Sequence, residues 1–257
     1  MFNYKDFIVS GIKTEFYSKY KRSKMGMAWI VLHPMMQVLI YTLVLSVILR
    51  AKIPGIDGQY TYAIYLIAGI AGWNLFSEIV SRLLTVFIDN GNLLKKVKFP
   101  RGVLPSIVVG TASVNFFIML ASMFVVFLFF GHMPTKGLGW MPVVIFITLL
   151  NAVGFGMLFG VLNVFFRDVG QIVTIALQFW FWLTPIVYSI DMIPESYRGV
   201  FFLNPMAGVI SAYQDILARG IAPDVDLLIY PLGIGLLFVG FSIIVYQKAD
   251  REMSDVL

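Results

Sequence analysis

The stretch VLPSIVVGTASVNFFIMLASMFVVFLFFG, residues 103–131, decides the fold class of this chain. It contains no charged side chain, and about 20 predominantly apolar residues are enough for a helix to cross the roughly 30 Å hydrocarbon core of a bilayer. Five other apolar runs along the chain reach a similar length. The six predicted spans are residues 27–50, 61–83, 103–131, 140–165, 170–190 and 227–247.

The composition agrees with a membrane protein. The 257 residues are 59% hydrophobic and 13% charged, with a mean hydropathy of +0.86, whereas soluble domains are about 45–50% apolar and about 25% charged. We therefore expect an all-α integral membrane protein. The chain has no cysteine, which excludes disulfides, thiolate catalysis and thiolate metal sites.

The basic residues predict the orientation of the chain. Six spans place both termini on one side of the membrane, and that side carries fourteen of the 19 Lys and Arg residues. Because cytoplasmic loops carry the excess of Lys and Arg, we expect both termini in the cytoplasm. The net charge of +5 then reflects membrane orientation and does not indicate a nucleic-acid partner. The five remaining basic residues are Arg50, Lys52, Lys136, Arg198 and Arg219.

The chain before the first span, residues 1–26, has its own pattern. Apolar residues spaced four apart form one stripe, which predicts an amphipathic helix lying in the cytoplasmic interface against membrane lipids. The alternative is a solvated basic tail that meets anionic head groups without specificity. At the other end, residues 248–257 form a short cytoplasmic tail. The stripe consists of Tyr4, Ile8, Ile12, Phe16 and Tyr20.

The outer segment between the last two spans is too long for a hairpin loop. It holds two apolar pieces separated by Asn204-Pro205, which predicts two short re-entrant or interfacial helices within residues 190–222, since irregular backbone at membrane depth needs protein or water around it. A small extramembrane cap is an equal alternative on spacing alone.

The loop FIDNGNLLKKVKFPRG, residues 87–102, predicts a short cytoplasmic helix. Asp89 or Asn90 is suited to cap its start, and Pro100 stops it. A capped, basic, amphipathic helix is suited to docking a soluble partner, although lysines that only anchor the topology would give the same pattern. Its apolar face would hold Leu93 and Leu94, and its basic end Lys95, Lys96 and Lys98.

The sequence lacks the usual enzyme motifs. It has no phosphate-binding loop and no G-x-G-x-x-G, and the predicted spans place its two histidines at opposite faces of the membrane. A glycan or phospholipid transferase would group its acidic residues to hold Mg²⁺, whereas those on the cytoplasmic side are dispersed. A secondary transporter would show repeated halves and buried coupling charges, and neither is found.

Two pairs of residues predict contacts within the bundle. Glu78 and Arg82, four apart on the second span, are suited to neutralise each other on one helix face. Gly156 and Gly160 form a G-x-x-x-G pattern, which indicates close approach of another helix.

Aromatic residues make up 16% of the chain. Many belong at the membrane interfaces, but others cluster inside the spans. Flat rings can pack on the C–H faces of sugars while an indole or phenol donates a hydrogen bond. For any single ring, an anchor facing lipid remains the alternative.

Four segments resemble the type 2 exporter permeases of the ABC transporter superfamily, in the branch that exports cell-surface polysaccharides. The resemblance runs nearly end to end and in order. The segments are YKRSKMGMAWIVLHPMMQVLIYTLVLSVIL (20–49), LLKKVKFPRGVLPSIVV (93–109), NVFFRDVGQIVTIALQFWFWLTPIVYSIDMIP (163–194) and LNPMAGVISAYQDIL (203–217).

This resemblance implies a fold and a set of partners. The fold has an N-terminal interface helix, six spans and two short outer re-entrant helices. The permease forms a homodimer with two soluble ATP-binding subunits, which hold ATP and Mg, while this chain holds no cofactor. The cargo is a polyprenyl-diphosphate-linked polysaccharide crossing the bacterial inner membrane, with O-antigen favoured over capsule or wall teichoic acid.

The resemblance also implies roles for particular residues. The segment Asp89 to Lys98 becomes the coupling helix seated in the ATPase, with no catalytic or metal-binding residue in this chain. The channel between two permeases is lined by aromatic residues, and the rings that cluster inside the spans supply the candidates Tyr41, Tyr65, Trp180 and Trp182. The outer gate candidates are Phe201, Phe202, Asn204, Pro205 and Met206.

Overall fold

The computed structural model describes residues 4–20, 28–41, 61–91, 102–129, 131–132, 134 and 136–256, and every regular element in these ranges is helical. Short 3₁₀ turns cover Leu138–Trp140 and Ile190–Met192, and a π-helical turn covers Asp215–Arg219. The helices are α1 (Tyr4–Tyr20), α2 (Ala28–Tyr41), α3 (Thr61–Asp89), α4 (Val103–Phe129), α5 (Met141–Phe165), α6 (Asp168–Leu183), α7 (Glu195–Phe202), α8 (Pro205–Gln214) and α9 (Asp226–Val256).

Four segments in the described part of the chain are long and apolar enough to cross a membrane: Tyr62–Asp89, Val103–Phe129, Leu138–Phe165 and Asp226–Ala249. They coincide with four of the predicted spans, and the all-α membrane architecture is confirmed. The segment predicted as the first span is described only through Tyr41, at the end of α2. The count of six spans therefore stays a prediction.

The predicted span 170–190 ends early. Helix α6 stops at Leu183 after 16 residues, a length of about 24 Å at 1.5 Å per residue. Thr184 adopts an extended conformation because the following residue, Pro185, disfavours the helical region for the residue before it. The chain leaves the helix at a point where the prediction continued it.

Helix α3 is the centre of the bundle, with 83% of its most apolar window buried inside the chain. Helix α5 packs against it through the predicted glycines. A Cβ at Gly156 would lie 2.8 Å from Leu83 Cδ1, and one at Gly160 would lie 2.4 Å from the backbone oxygen of Leu83. Only glycine allows this approach, so the predicted helix contact is confirmed.

Helix α1 packs along the start of α4. The stripe residues Ile8, Ile12 and Phe16 are half-buried, so this part of the stripe faces protein. Two glycines, one on each helix, make the contact close, because a Cβ at either one would meet an isoleucine side chain of the other helix. The N-terminal helix is confirmed over residues 4–20, and its place in the membrane interface stays a prediction.

Candidate functional site

Arg82 lies between two carboxylates near the end of α3 that is predicted to be cytoplasmic. Its guanidinium contacts Glu15 of α1 and lies 3.6 Å from Glu78, one turn earlier in its own helix. The predicted pair of Glu78 and Arg82 is confirmed. The structure adds Glu15, which brings a second helix to the same guanidinium.

Two polar residues of α4 complete this cluster. The hydroxyl of Thr111 lies 3.1 Å from Glu15 Oε2, and the amide of Asn115 donates to Glu78 Oε1 at 2.8 Å. The sequence prediction missed Glu15, Thr111 and Asn115 as partners. A signal for Glu15 was available, because it follows Ile12 by three residues and therefore lies on the same side of α1 as the apolar stripe.

A groove of about 670 Å³ runs beside the polar cluster, between α1, α3 and α4. Its walls carry both apolar and charged side chains, including Glu15, Arg82 and Asp89. Such a surface can hold a mixed polar and apolar protein segment or allow one of the three helices to move.

The predicted coupling segment begins at this groove. Asp89 is the last residue of α3, and the side-chain amide of Asn90 donates to the backbone oxygen of Val86 at 2.8 Å. Asn90 therefore satisfies a carbonyl at the C-terminal end of α3, and its role as the cap that starts a following helix stays a prediction. The remaining predicted coupling residues lie outside the described residues: Leu93, Leu94, Lys95, Lys96 and Lys98.

Asn204 organises the opposite end of the bundle. Its side-chain oxygen accepts hydrogen bonds from the indole of Trp180 at 2.7 Å and from the backbone N–H of Met206 at 2.9 Å. Its amide donates to the hydroxyl of Thr184 at 2.9 Å. The same side chain thus caps the start of α8, where Pro205 is the first residue, and joins α8 to the end of α6.

Two short helices are present in the predicted segment as α7 and α8, with Asn204-Pro205 at the turn, and their position on the outer side stays a prediction. Helix α8 is inserted among the longer helices. Tyr213 is fully buried and pairs with Thr148 of α5 at 3.1 Å, and a Cβ at Gly72 of α3 would lie 2.4 Å from the Tyr213 ring. Because Thr148 lies two turns into α5, α8 reaches about 10 Å along that helix, which favours a re-entrant helix over a cap.

The gate candidates divide by burial. Phe201 and Asn204 are half-buried, whereas Pro205 and Met206 are buried. The side chain of Phe202 lies outside the described residues.

The channel-lining candidates also occupy different surroundings. Tyr65 is 3% exposed and belongs to the core of the single chain, so it offers no ring face to a sugar. Trp180 packs edge-on against Trp73, Phe76 and Phe155. Trp182 is 64% exposed, and the side chain of Tyr41 lies outside the described residues.

In the described residues, no three His, Cys, Asp or Glu side chains group closely enough to hold a metal ion. His132 Nε2 lies 2.9 Å from the backbone oxygen of Leu217. This contact joins the end of α4 to the turn after α8, so His132 has a structural role.

Comparison with known proteins adds a family. Residues 8–218 match the family described as ABC-2 type transporter. The chain is 31% identical over 242 residues to the O-antigen export system permease protein RfbA of Klebsiella pneumoniae, covering 93% of this chain and 90% of that protein.

Two other relatives carry the same name. One, from Myxococcus xanthus, is 29% identical over 257 residues, covering 99% of this chain and 96% of the relative. The other, from Klebsiella pneumoniae, is 27% identical over 241 residues, covering 93% and 90%. The matched regions include both the polar cluster at Arg82 and the turn at Asn204.

Proposed function

Because the chain belongs to the ABC-2 type transporter family, we propose that it is the permease subunit of an ATP-driven exporter of lipid-linked O-antigen. It is a membrane subunit of a transporter rather than an enzyme. The observation that carries the choice of cargo is the nearly full-length similarity to three relatives named O-antigen export permeases. Capsule and wall teichoic acid are the other cargoes that a permease of this type exports.

The energy source would be a separate subunit. The sequence of this chain contains no phosphate-binding loop, which is the element that cradles nucleotide phosphates and positions Mg²⁺ in such ATPases. Two soluble ATP-binding subunits would therefore hold ATP and Mg, and this chain would hold no cofactor.

The permease would work as a homodimer in the bacterial inner membrane, with six spans and both termini in the cytoplasm. The exposed apolar face of α6 supports a partner or lipid at that surface, since Ile172, Phe179 and Trp182 are each more than 60% exposed. A polyprenyl-diphosphate-linked polysaccharide would cross between the two copies, with α7 and α8 at the outer exit.

The segment Asp89 to Lys98 would couple the ATPase to the spans. Its support is the continuity of α3, which runs as one helix of 29 residues from Thr61 to Asp89. A rigid helix of this length can carry a displacement at its cytoplasmic end to the Asn204 end of the bundle. Replacing Leu93 and Leu94 together with Asp should place charges on the docking face and lower ATPase association at least tenfold, because an unpaired buried charge is strongly unfavourable.

The experiment that tests the proposed cargo is complementation. The chain is expressed with its candidate ATPase in an O-antigen-producing strain that lacks its own O-antigen permease, and lipopolysaccharide is separated by gel electrophoresis. Restored O-antigen on surface lipopolysaccharide supports the proposal. Capsule-deficient and teichoic-acid-deficient strains serve as parallel hosts.

The same strains separate the alternatives. Restoration only in a capsule or teichoic acid strain would show that the cargo is capsule or teichoic acid, and the proposal that the chain is an exporter permease would stand. Co-purification of the chain with the ATPase as a complex of two copies of each, with ATP hydrolysis, tests the assembly independently of the cargo.

A further inference from the structure

We propose that Glu15 is a positioning residue that holds α1 on α4 in one state of the transport cycle and releases it in another. This inference rests on the proposed function, because it concerns movement during ATP-driven export. The movement would be a separation of α1 from the spanning helices at their cytoplasmic end.

The polar partners of Glu15 have replacement acceptors in place. When Glu15 leaves, the Arg82 guanidinium still has Glu78 at 3.6 Å. The Thr111 hydroxyl still has the backbone oxygen of Ile107 at 2.9 Å. A buried donor left without an acceptor is unfavourable, and the buried Thr111 hydroxyl avoids that penalty, while the partly exposed Arg82 keeps one carboxylate.

The charges also favour a reversible contact. Glu15 and Glu78 share the single guanidinium of Arg82, so two negative charges are held near one positive charge. Release of Glu15 removes the repulsion between the carboxylates and places a side chain that is already 39% exposed in full contact with water. Ion pairs at this level of exposure are weak, which suits a contact that forms and breaks.

The apolar part of the contact depends on two glycines. A Cβ at Gly11 would lie 2.5 Å from Ile107 Cδ1, and one at Gly110 would lie 2.3 Å from Ile12 Cδ1, so an isoleucine of each helix packs on a glycine of the other. No described side chain of α1 belongs to the buried core of the chain. Separation would therefore expose the half-buried side chains of α1 and the surface of α4 that they cover.

The groove places this contact beside the predicted coupling segment. Asp89 and Asn90 line the same groove as Glu15 and Arg82, and the coupling segment follows directly in the sequence. A displacement of that segment by the ATPase would move Asp89 and Asn90, which form part of the wall of the groove that α1 also lines.

A reversible disulfide tests the movement. Gly11→Cys with Ile107→Cys would join the helices. A Cβ at Gly11 would lie 3.0 Å from Ile107 Cγ1 and 3.6 Å from Ile107 Cγ2. Because both of these carbons are bonded to Ile107 Cβ, the two Cβ atoms lie within reach of a disulfide, which needs a Cβ separation of about 3.5–4.5 Å. Gly110→Cys with Ile12→Cys provides a second lock with the roles exchanged. The native chain has no cysteine, so each pair is the only source of an internal disulfide.

Export is measured in membrane vesicles with the ATPase present, before and after oxidation. We expect each oxidised pair to lose export at least tenfold and to recover it with reductant, while the single variant Ile107→Cys is unaffected by oxidation. Export at the reduced rate by fully disulfide-linked protein would overturn the proposal. The proposed function would stand in that case, because the reduced protein exports O-antigen.

A second measurement decides the question if neither disulfide forms. The thiol of Ile107→Cys, covered by α1, should react with a maleimide severalfold faster during ATP turnover than without nucleotide. Ser106→Cys, at the neighbouring exposed position, is the matched control. Its thiol should react with the maleimide at the same rate in both conditions. Equal rates for Ile107→Cys in both conditions would contradict the movement.

Discussion

The indole N–H of Trp180 donates a 2.7 Å hydrogen bond to the side-chain oxygen of Asn204, 24 residues further along the chain. This bond connects the end of α6, which is exposed, to the start of α8, which is inserted among the longer helices. A change at Asn204 should therefore disturb both elements.

Replacing Asn204 with Ala removes the acceptor for Trp180, the cap of α8 and the donor to Thr184. Loss of a helix cap costs about 0.5–2 kcal/mol, and the unpaired indole adds to it. We expect a lower thermal unfolding temperature in detergent and reduced export. Trp180→Phe, which removes only the indole donor, should show a smaller loss. An unchanged unfolding temperature in Asn204→Ala would contradict this role.

Substitution of Gly160 tests the contact between α5 and α3. A Cβ there would lie 2.4 Å from the backbone oxygen of Leu83, so Gly160→Ala must push the two helices apart, at a cost of about 1–3 kcal/mol for overpacking. Gly240→Ala is the matched control because a Cβ at that position meets nothing within 4 Å. Thermal unfolding of both purified variants should show destabilisation in the first alone.

Trp180 and Trp182 should respond differently to replacement with Ala. Trp180 packs in the aromatic core and should lower stability and expression when lost. Trp182 is 64% exposed, so Trp182→Ala should leave folding and ATPase association intact. If Trp182 contacts the glycan, the rate of export should fall, because a stacking contact worth about 1 kcal/mol is lost. Export equal to that of the parent protein would leave Trp182 as a lipid anchor.

The predicted topology can be tested with single cysteines, since the chain has none of its own. Cysteines at Lys13, Lys96 and Lys248 should react with an impermeant thiol reagent only from the cytoplasmic side. Cysteines at Lys136 and Arg198 should react from outside. Labelling of the Lys96→Cys variant from outside would contradict the cytoplasmic position of this loop.

The sequence alone predicted features that depend on local pattern. The apolar run at residues 103–131 predicted α4 to within two residues, because length and apolarity are themselves the signal for a span. The turn at Asn204-Pro205 was also predicted, because this dipeptide separates two apolar pieces of the sequence.

Features that depend on distant neighbours were not predictable in this way. Glu15 and Arg82 are 67 residues apart, and no local pattern pairs them. Tyr65 carries an amphipathic ring suited to an interface, and only the packing around α3 shows that it is enclosed.

Helix α6, if it spans the membrane as predicted, is too short for an ordinary bilayer. Its 16 residues give about 24 Å, several ångströms less than a hydrocarbon core of about 30 Å, and mismatch costs fractions of a kcal/mol per ångström. Ile172 and Phe179 are 63% and 68% exposed, and lipid in contact with such a span would thin beside it. A large polar polymer passing next to α6 would then meet a shorter apolar barrier than elsewhere in the membrane, and longer acyl chains in the host lipid should slow its passage.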